Sequence, residues 1–195
     1  RRLKKQYFAS DDQLMTMTMG GELYLPGYEK SWKIGRELNI PIAVHVLGNF
    51  GIPKNFAKQA AAGQIKSDNI FIHMTAMPDS AWQATKDAGA AVSIASPIEM
   101  TMRHGKPPIM KAMAMGIQPS LSTDVECTMT ADFFTQMRSI MTLQRMQVNE
   151  MALAGKKDLP PLLTSLDVIR FATVEGAKTL RLDKKAGSLS PGKEA

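Results

Sequence analysis

Short apolar runs alternate with longer amphipathic stretches along most of the chain. Residues 14–19 (Leu-Met-Thr-Met-Thr-Met) alternate with period two, which predicts a strand closed by Gly20 and Gly21. Residues 28–38 carry Trp32 and Leu38 at core-facing spacing and predict a helix. The run Ile40-Pro41-Ile42-Ala43-Val44-His45 predicts a strand, and residues 55–62 a helix capped by Asn55 and stopped by Gly63. Asn69-Ile70-Phe71-Ile72-His73 predicts the next strand. Asp79 or Ser80 caps a helix through Lys86 that ends at Gly89, and Ala91-Val92-Ser93-Ile94 reads as a buried strand. Residues 96–105 read as a loop and 109–115 as a helix closed by Gly116. Pro119-Ser120-Leu121-Ser122-Thr123-Asp124 is the fifth strand-like run. Residues 131–151, 165–172 and 174–180 then read as helices, with Pro160 and Pro161 in the linker between the first two.

Strands that alternate with helices through short turns imply right-handed crossovers and parallel pairing, so the chain is expected to be α/β. Five strands do not close a barrel of eight. The organisation expected is one incomplete domain over 1–195: a lead-in at 1–11, strand–helix units at 12–125, and C-terminal helices and tail at 126–195.

The strand ends carry the chemistry. His45, His73 and Asp124 each terminate a strand-like run, and strand C-termini converge on one face of a parallel sheet or barrel, where ligands gather. Imidazole and carboxylate are ligands that zinc and iron accept. Each residue also has a bland reading: a core histidine satisfied by a carbonyl, or an aspartate capping the next segment. Their joint placement favours half of a metal-dependent hydrolase site. Glu99 and His104, in the segment after the fourth strand, would face the same side and are candidates for binding a polar substrate; a solvated loop is the alternative.

Composition narrows the class. With 195 residues, 44% hydrophobic and 22% charged, the chain can bury a core. The net charge of +6 is scattered and lacks interleaved aromatics, so a solvated basic surface is expected rather than a nucleic-acid partner. No apolar run is long enough for a bilayer and no leader pattern is present, so no membrane partner is expected. The single cysteine, Cys127, excludes an internal disulfide and suits a cytoplasmic setting. The fifteen methionines read as core filler. No G-x-G-x-x-G, P-loop, G-x-S-x-G or C-x-x-C occurs.

The ordered motifs resemble the C-terminal part of the amidohydrolase superfamily, nearest its cytosine deaminase and triazine hydrolase branch. The matching stretches are Ile42-Ala43-Val44-His45-Val46, Ile70-Phe71-Ile72-His73 and Leu121-Ser122-Thr123-Asp124. They continue in Phe171-Ala172-Thr173-Val174-Glu175-Gly176-Ala177-Lys178-Thr179-Leu180 and Gly187-Ser188-Leu189-Ser190-Pro191-Gly192-Lys193-Glu194-Ala195. The resemblance implies a partial (β/α)8 TIM barrel, about strands four to eight, with C-terminal helices. It implies one divalent metal per site, zinc or iron. His45 and Asp124 would be ligands, Asp124 would also take the proton from water, and His73 would hold the hydroxide or substrate. The implied activity is hydrolysis of a C–N or similar bond in a small cyclic or amide substrate. The chain departs from the family in three ways. It has no His-x-His pair, having three histidines in all; Gly48 stands where the deaminase branch has a glutamate; and Ala76 stands where it often has a second histidine. The chain is therefore expected to be a piece of the enzyme with little activity by itself, prone to form homo-oligomers. The alternative is a non-catalytic half-barrel that binds a ligand or partner.

Overall fold

A computed structural model describes residues 1–194 except 11, 14 and 127–129. Cys127 and part of the residue 14–19 run thus lie outside the described residues. The chain forms two compact units, Arg1–Ala91 and Val92–Ala195.

The first unit alternates helices and strands: α1 (Arg2–Tyr7), β1 (Met19–Gly20), α2 (Tyr28–Glu37), β2 (Ile42–Leu47), α3 (Ile52–Ala61), β3 (Asn69–Thr75) and α4 (Asp79–Ala88). β1 pairs with β2 and β2 with β3, both parallel. Ile42, Val44 and Val46 are fully buried on alternate positions of β2. Burying each such side chain contributes about 1.5–3 kcal/mol relative to leaving it exposed. Ile42 packs against the α2 backbone at Gly35, where an added Cβ would come within 2.8 Å of it. Phe71 of β3 meets Phe56 of α3 with ring centroids 5.0 Å apart. These residues therefore share the face that the helices cover.

The second unit holds β4, which opens at the boundary (Ala91–Ile94), α5 (Ser96–Thr101), α6 (Ile109–Ala114), β5 (Ser120–Leu121), α7 (Phe133–Leu153), α8 (Ser165–Ala172) and α9 (Val174–Thr179). β4 and β5 pair in parallel through Ser93 with Ser120 and Ile94 with Leu121. Asp132 caps α7, its carboxylate accepting the backbone N–H groups of Phe134 and Thr135. Thr164 and Asp167 form a reciprocal capping box on α8.

Several expectations need correction. Of the described residues in the 14–19 run, Met19 alone is in a strand, which continues into Gly20. Its neighbour β2 begins at Ile42, the partner of Met19, so residues 15–18 find no paired register, and Met15 is left exposed. Residues 96–101 are helical rather than loop, with Pro97 suited to the first turn. Asn55 does not cap α3; Gly51, in a left-handed conformation, occupies that place, and Asn55 lies inside the helix. Pro78, rather than Asp79 or Ser80, caps α4. The short helix α1 has no counterpart in the hydrophobic pattern, and none of its residues is buried.

Arg36 ties α2 to the segment before β3. Its Nε donates to Asp68 Oδ2 at 2.9 Å, its two terminal nitrogens donate to Gln64 Oε1 and to the Gln64 carbonyl, both at 2.6 Å, and its guanidinium lies 5.5 Å from the Trp32 ring centroid. A lysine cannot reproduce this planar fork. Arg36→Lys is expected to lower stability by about 1–3 kcal/mol in urea unfolding, the range for hydrogen bonds to charged groups.

Candidate functional site

His45 and His73 come together in the C-terminal halves of β2 and β3, with ring centroids 5.6 Å apart and planes tilted by 39°; neither terminates its strand as expected, since β2 runs on to Leu47 and β3 to Thr75. Simple strand alternation does not bring them there. Val44 pairs with Phe71, His45 with Ile72, and Val46 with His73. Unbroken pairing would aim His73, like Phe71, at the helix-covered face, opposite His45. The register breaks between Val46 and Leu47, however: Leu47 pairs with Thr75, and Met74 is the extra residue of a bulge. His73 and Met74 both take positive φ, +74° and +55°. Such conformations cost side chains other than glycine of order 1–3 kcal/mol each. Buried packing holds the strain, since His73, Met74 and Thr75 are all fully buried. The bulge turns the His73 ring toward His45.

A third residue completes the cluster, and sequence reading missed it. Glu22, two positions past the end of β1, grips His45 twice. Its Oε1 lies 2.7 Å from His45 Nδ1, and its Oε2 accepts the His45 backbone N–H at 2.9 Å. The loop carrying Glu22 is itself pinned. The Gly21 N–H donates to the Ala43 carbonyl at 3.1 Å, Trp32 Nε1 donates to the Gly21 carbonyl at 2.8 Å, and Asn55 Nδ2 donates to the Leu23 carbonyl at 2.7 Å. Nearby, burial and then the Glu22 charge push the Tyr24 hydroxyl above its ordinary pKa. The signal in the sequence was the strand-end rule itself, since Glu22 follows β1 as closely as Asp124 follows β5.

The remaining candidates lie in the second unit. Asp124 is exposed, three residues past β5, with φ at +57°. Glu99 is buried in α5, and its Oε1 accepts the backbone N–H of Ala95, the residue before the helix, at 2.9 Å. His104 is half-buried in the segment between α5 and α6.

The donors of the first unit suit a metal in kind. A histidine whose Nδ1 is held by a carboxylate presents Nε2 outward, the usual arrangement around zinc. They fall short in number, because zinc takes four ligands and the cluster offers two imidazoles beside a carboxylate occupied with His45. Among the described residues no group of three or more His, Cys, Asp or Glu side chains could hold a metal ion.

The Amidohydrolase family profile matches residues 27–195. The chain belongs to the amidohydrolase family. A curated relative, the 5-methylthioadenosine/S-adenosylhomocysteine deaminase 1 of Syntrophus aciditrophicus (strain SB), is 23% identical over 172 residues, covering 83% of this chain and 37% of that protein. The structure of an adenosine deaminase from Xanthomonas campestris with bound zinc superposes with a TM-score of 0.80 at 19% identity, over all of this chain and 45% of that one. The atrazine chlorohydrolase of Arthrobacter aurescens TC1, complexed with zinc, gives 0.78 at 15% identity over all of this chain and 44% of that one. The chain thus spans less than half the length of each of these proteins, and its α/β fold matches the corresponding part of theirs. No helix of the described residues is long and apolar enough to cross a membrane.

Two departures from the deaminase branch, Gly48 and Ala76, pack against each other. The Gly48 N–H donates to the Thr75 carbonyl at 2.8 Å, and a Cβ on Gly48 would fall 2.2 Å from the Ala76 carbonyl oxygen. Ala76 itself holds a positive φ of +52°. A side chain at position 48 therefore requires the bulged segment after β3 to move. Gly48→Ala is expected to cost about 1–3 kcal/mol, the usual penalty of overpacking. It should also perturb the His73 ring resonances, whereas an alanine placed at the unobstructed Gly20 should not.

Proposed function

We propose that the chain is the C-terminal part of a metal-dependent hydrolase that cleaves a C–N or similar bond in a small cyclic or amide substrate. The observation that carries this reading is the juxtaposition of His45 and His73 in the C-terminal halves of two parallel strands, beside a strained bulge. Backbone strain of this kind persists where the surrounding structure enforces it, and it concentrates at functional sites. Family membership and the deaminases among the relatives support hydrolysis of a C–N bond.

In this reading His45 and Asp124 would hold the metal and the remaining donors would come from sequence outside this chain. A zinc or iron ion held there would lower the pKa of water enough to make hydroxide available near neutral pH. His73, held rigid by burial, orients the attacking or departing group through a hydrogen bond, and Asp124 takes the proton released by the attacking water. Glu99 and His104 are the candidates for contacting the substrate's polar edge. Position 48 offers no carboxylate to carry a proton to a ring nitrogen, and the Ala76 carbonyl closes the space one would need. This favours substrates whose leaving group departs without that shuttle, such as an amide or an activated ring substituent. We place the protein in the cytoplasm on its single cysteine.

The second reading, a non-catalytic half-barrel that binds a ligand or partner, draws on the absence of a three-donor group among the described residues. Two variants separate the readings in the longest reading frame that contains this chain. On the hydrolase reading His45→Ala and Asp124→Ala each reduce bound metal and lower kcat/KM by roughly 100-fold or more while the melting temperature changes little. On the binding-module reading both variants alter stability alone. The 195-residue chain by itself is expected to show at most trace hydrolysis, and turnover at enzyme-like rates would contradict the missing-donor argument.

A further inference from the structure

We propose that Glu22 is a positioning residue that sets the tautomer of His45, keeping the proton on Nδ1 and the lone pair on Nε2. The two Glu22 oxygens meet two different atoms of one residue: Oε2 meets the His45 backbone N–H at 2.9 Å, and Oε1 meets Nδ1 at 2.7 Å. The backbone N–H is an obligatory donor, so Oε2 must accept. An ionised carboxylate has only acceptor capacity, so the bond to Oε1 exists only if Nδ1 carries the proton. The pair is partly shielded, with the Glu22 side chain 18% exposed, and the Glu22 loop cannot drift because the backbone on both sides of it is hydrogen-bonded to β2, α2 and α3. A neutral histidine in water favours the Nε2–H form, so a ring held as Nδ1–H needs an acceptor at Nδ1, and which nitrogen is protonated decides which one can act as a ligand or base.

The inference rests on the proposed site for its purpose alone. The tautomer is measurable without substrate, metal or turnover, so either idea can fail without the other. The chain has three histidines, which makes the ring nitrogens assignable by two-bond 15N–1H correlation spectra. The spectra would be recorded on the full 195-residue chain, labelled at histidine, about two pH units above the ordinary imidazole pKa of roughly 6.5.

The wild-type spectrum should place His45 in the Nδ1–H form. Glu22→Gln is nearly isosteric but offers one acceptor and one donor group. Its oxygen must serve the backbone N–H, and its NH2 then faces Nδ1, so His45 is expected to switch to the Nε2–H form while the His73 and His104 patterns stay in place. An unconstrained ring also favours Nε2–H, so the exchange counts for the proposal only while the unchanged His73 and His104 patterns show that the variant keeps its fold. A wild-type His45 in the Nε2–H form, or a folded Glu22→Gln variant that keeps Nδ1–H, would overturn the proposal. The wild-type arm decides it even if the variant does not fold.

Discussion

The parallel pairing of β2 with β3, and the one-residue bulge that interrupts it at Met74, is the constraint from which the site follows. A parallel ladder in register keeps paired side chains on a common face. Up to Val46 that rule assigns Ile42, Val44 and Phe71 to the helix side and His45 to the other. The bulge then breaks the rule next to His73. It costs two consecutive positive-φ residues, offset by the burial of His73, Met74 and Thr75. Without that interruption the two imidazoles would lie on opposite faces of the sheet.

The bulge shapes more than the histidine. It carries the chain into Ala76, whose carbonyl lies against Gly48 at the end of β2. Position 48 is small because the neighbouring backbone occupies the space of a side chain. The absence of a glutamate there and the altered residue at 76 are one structural fact seen from two strands. Glu22, in turn, reaches His45 from the strand on the other side, so β1, β2 and β3 each contribute one polar residue from their C-terminal ends.

Much of this was legible in the sequence. Alternating hydrophobicity and glycine stops located five strands and most helices, and the strand-end positions of His45 and His73 pointed to the cluster. What escaped has physical causes. The length of β1 depends on where its partner β2 begins, which no local pattern records. The helix α5 was hidden by its proline and by the polar Glu99, whose carboxylate turns back to accept the Ala95 backbone N–H. Asn55 looks like a cap by type, yet its side chain serves the Leu23 carbonyl, a tertiary contact over more than thirty residues. Glu22 was overlooked because its strand is two residues long and its partner, His45, lies across a strand pair. The bulge itself has no signature among the residues that form it, since His73 and Met74 are not glycine or asparagine.

The most direct test of this account is the distance between the two rings. Nuclear Overhauser contacts between the ring protons of His45 and His73, recorded on the assigned chain in solution, should be present and should survive at high salt. If both rings are assigned, no contact is seen, and His73 instead contacts Phe56 or other residues of the helix side, then β3 continues without a bulge and the two histidines do not share a site.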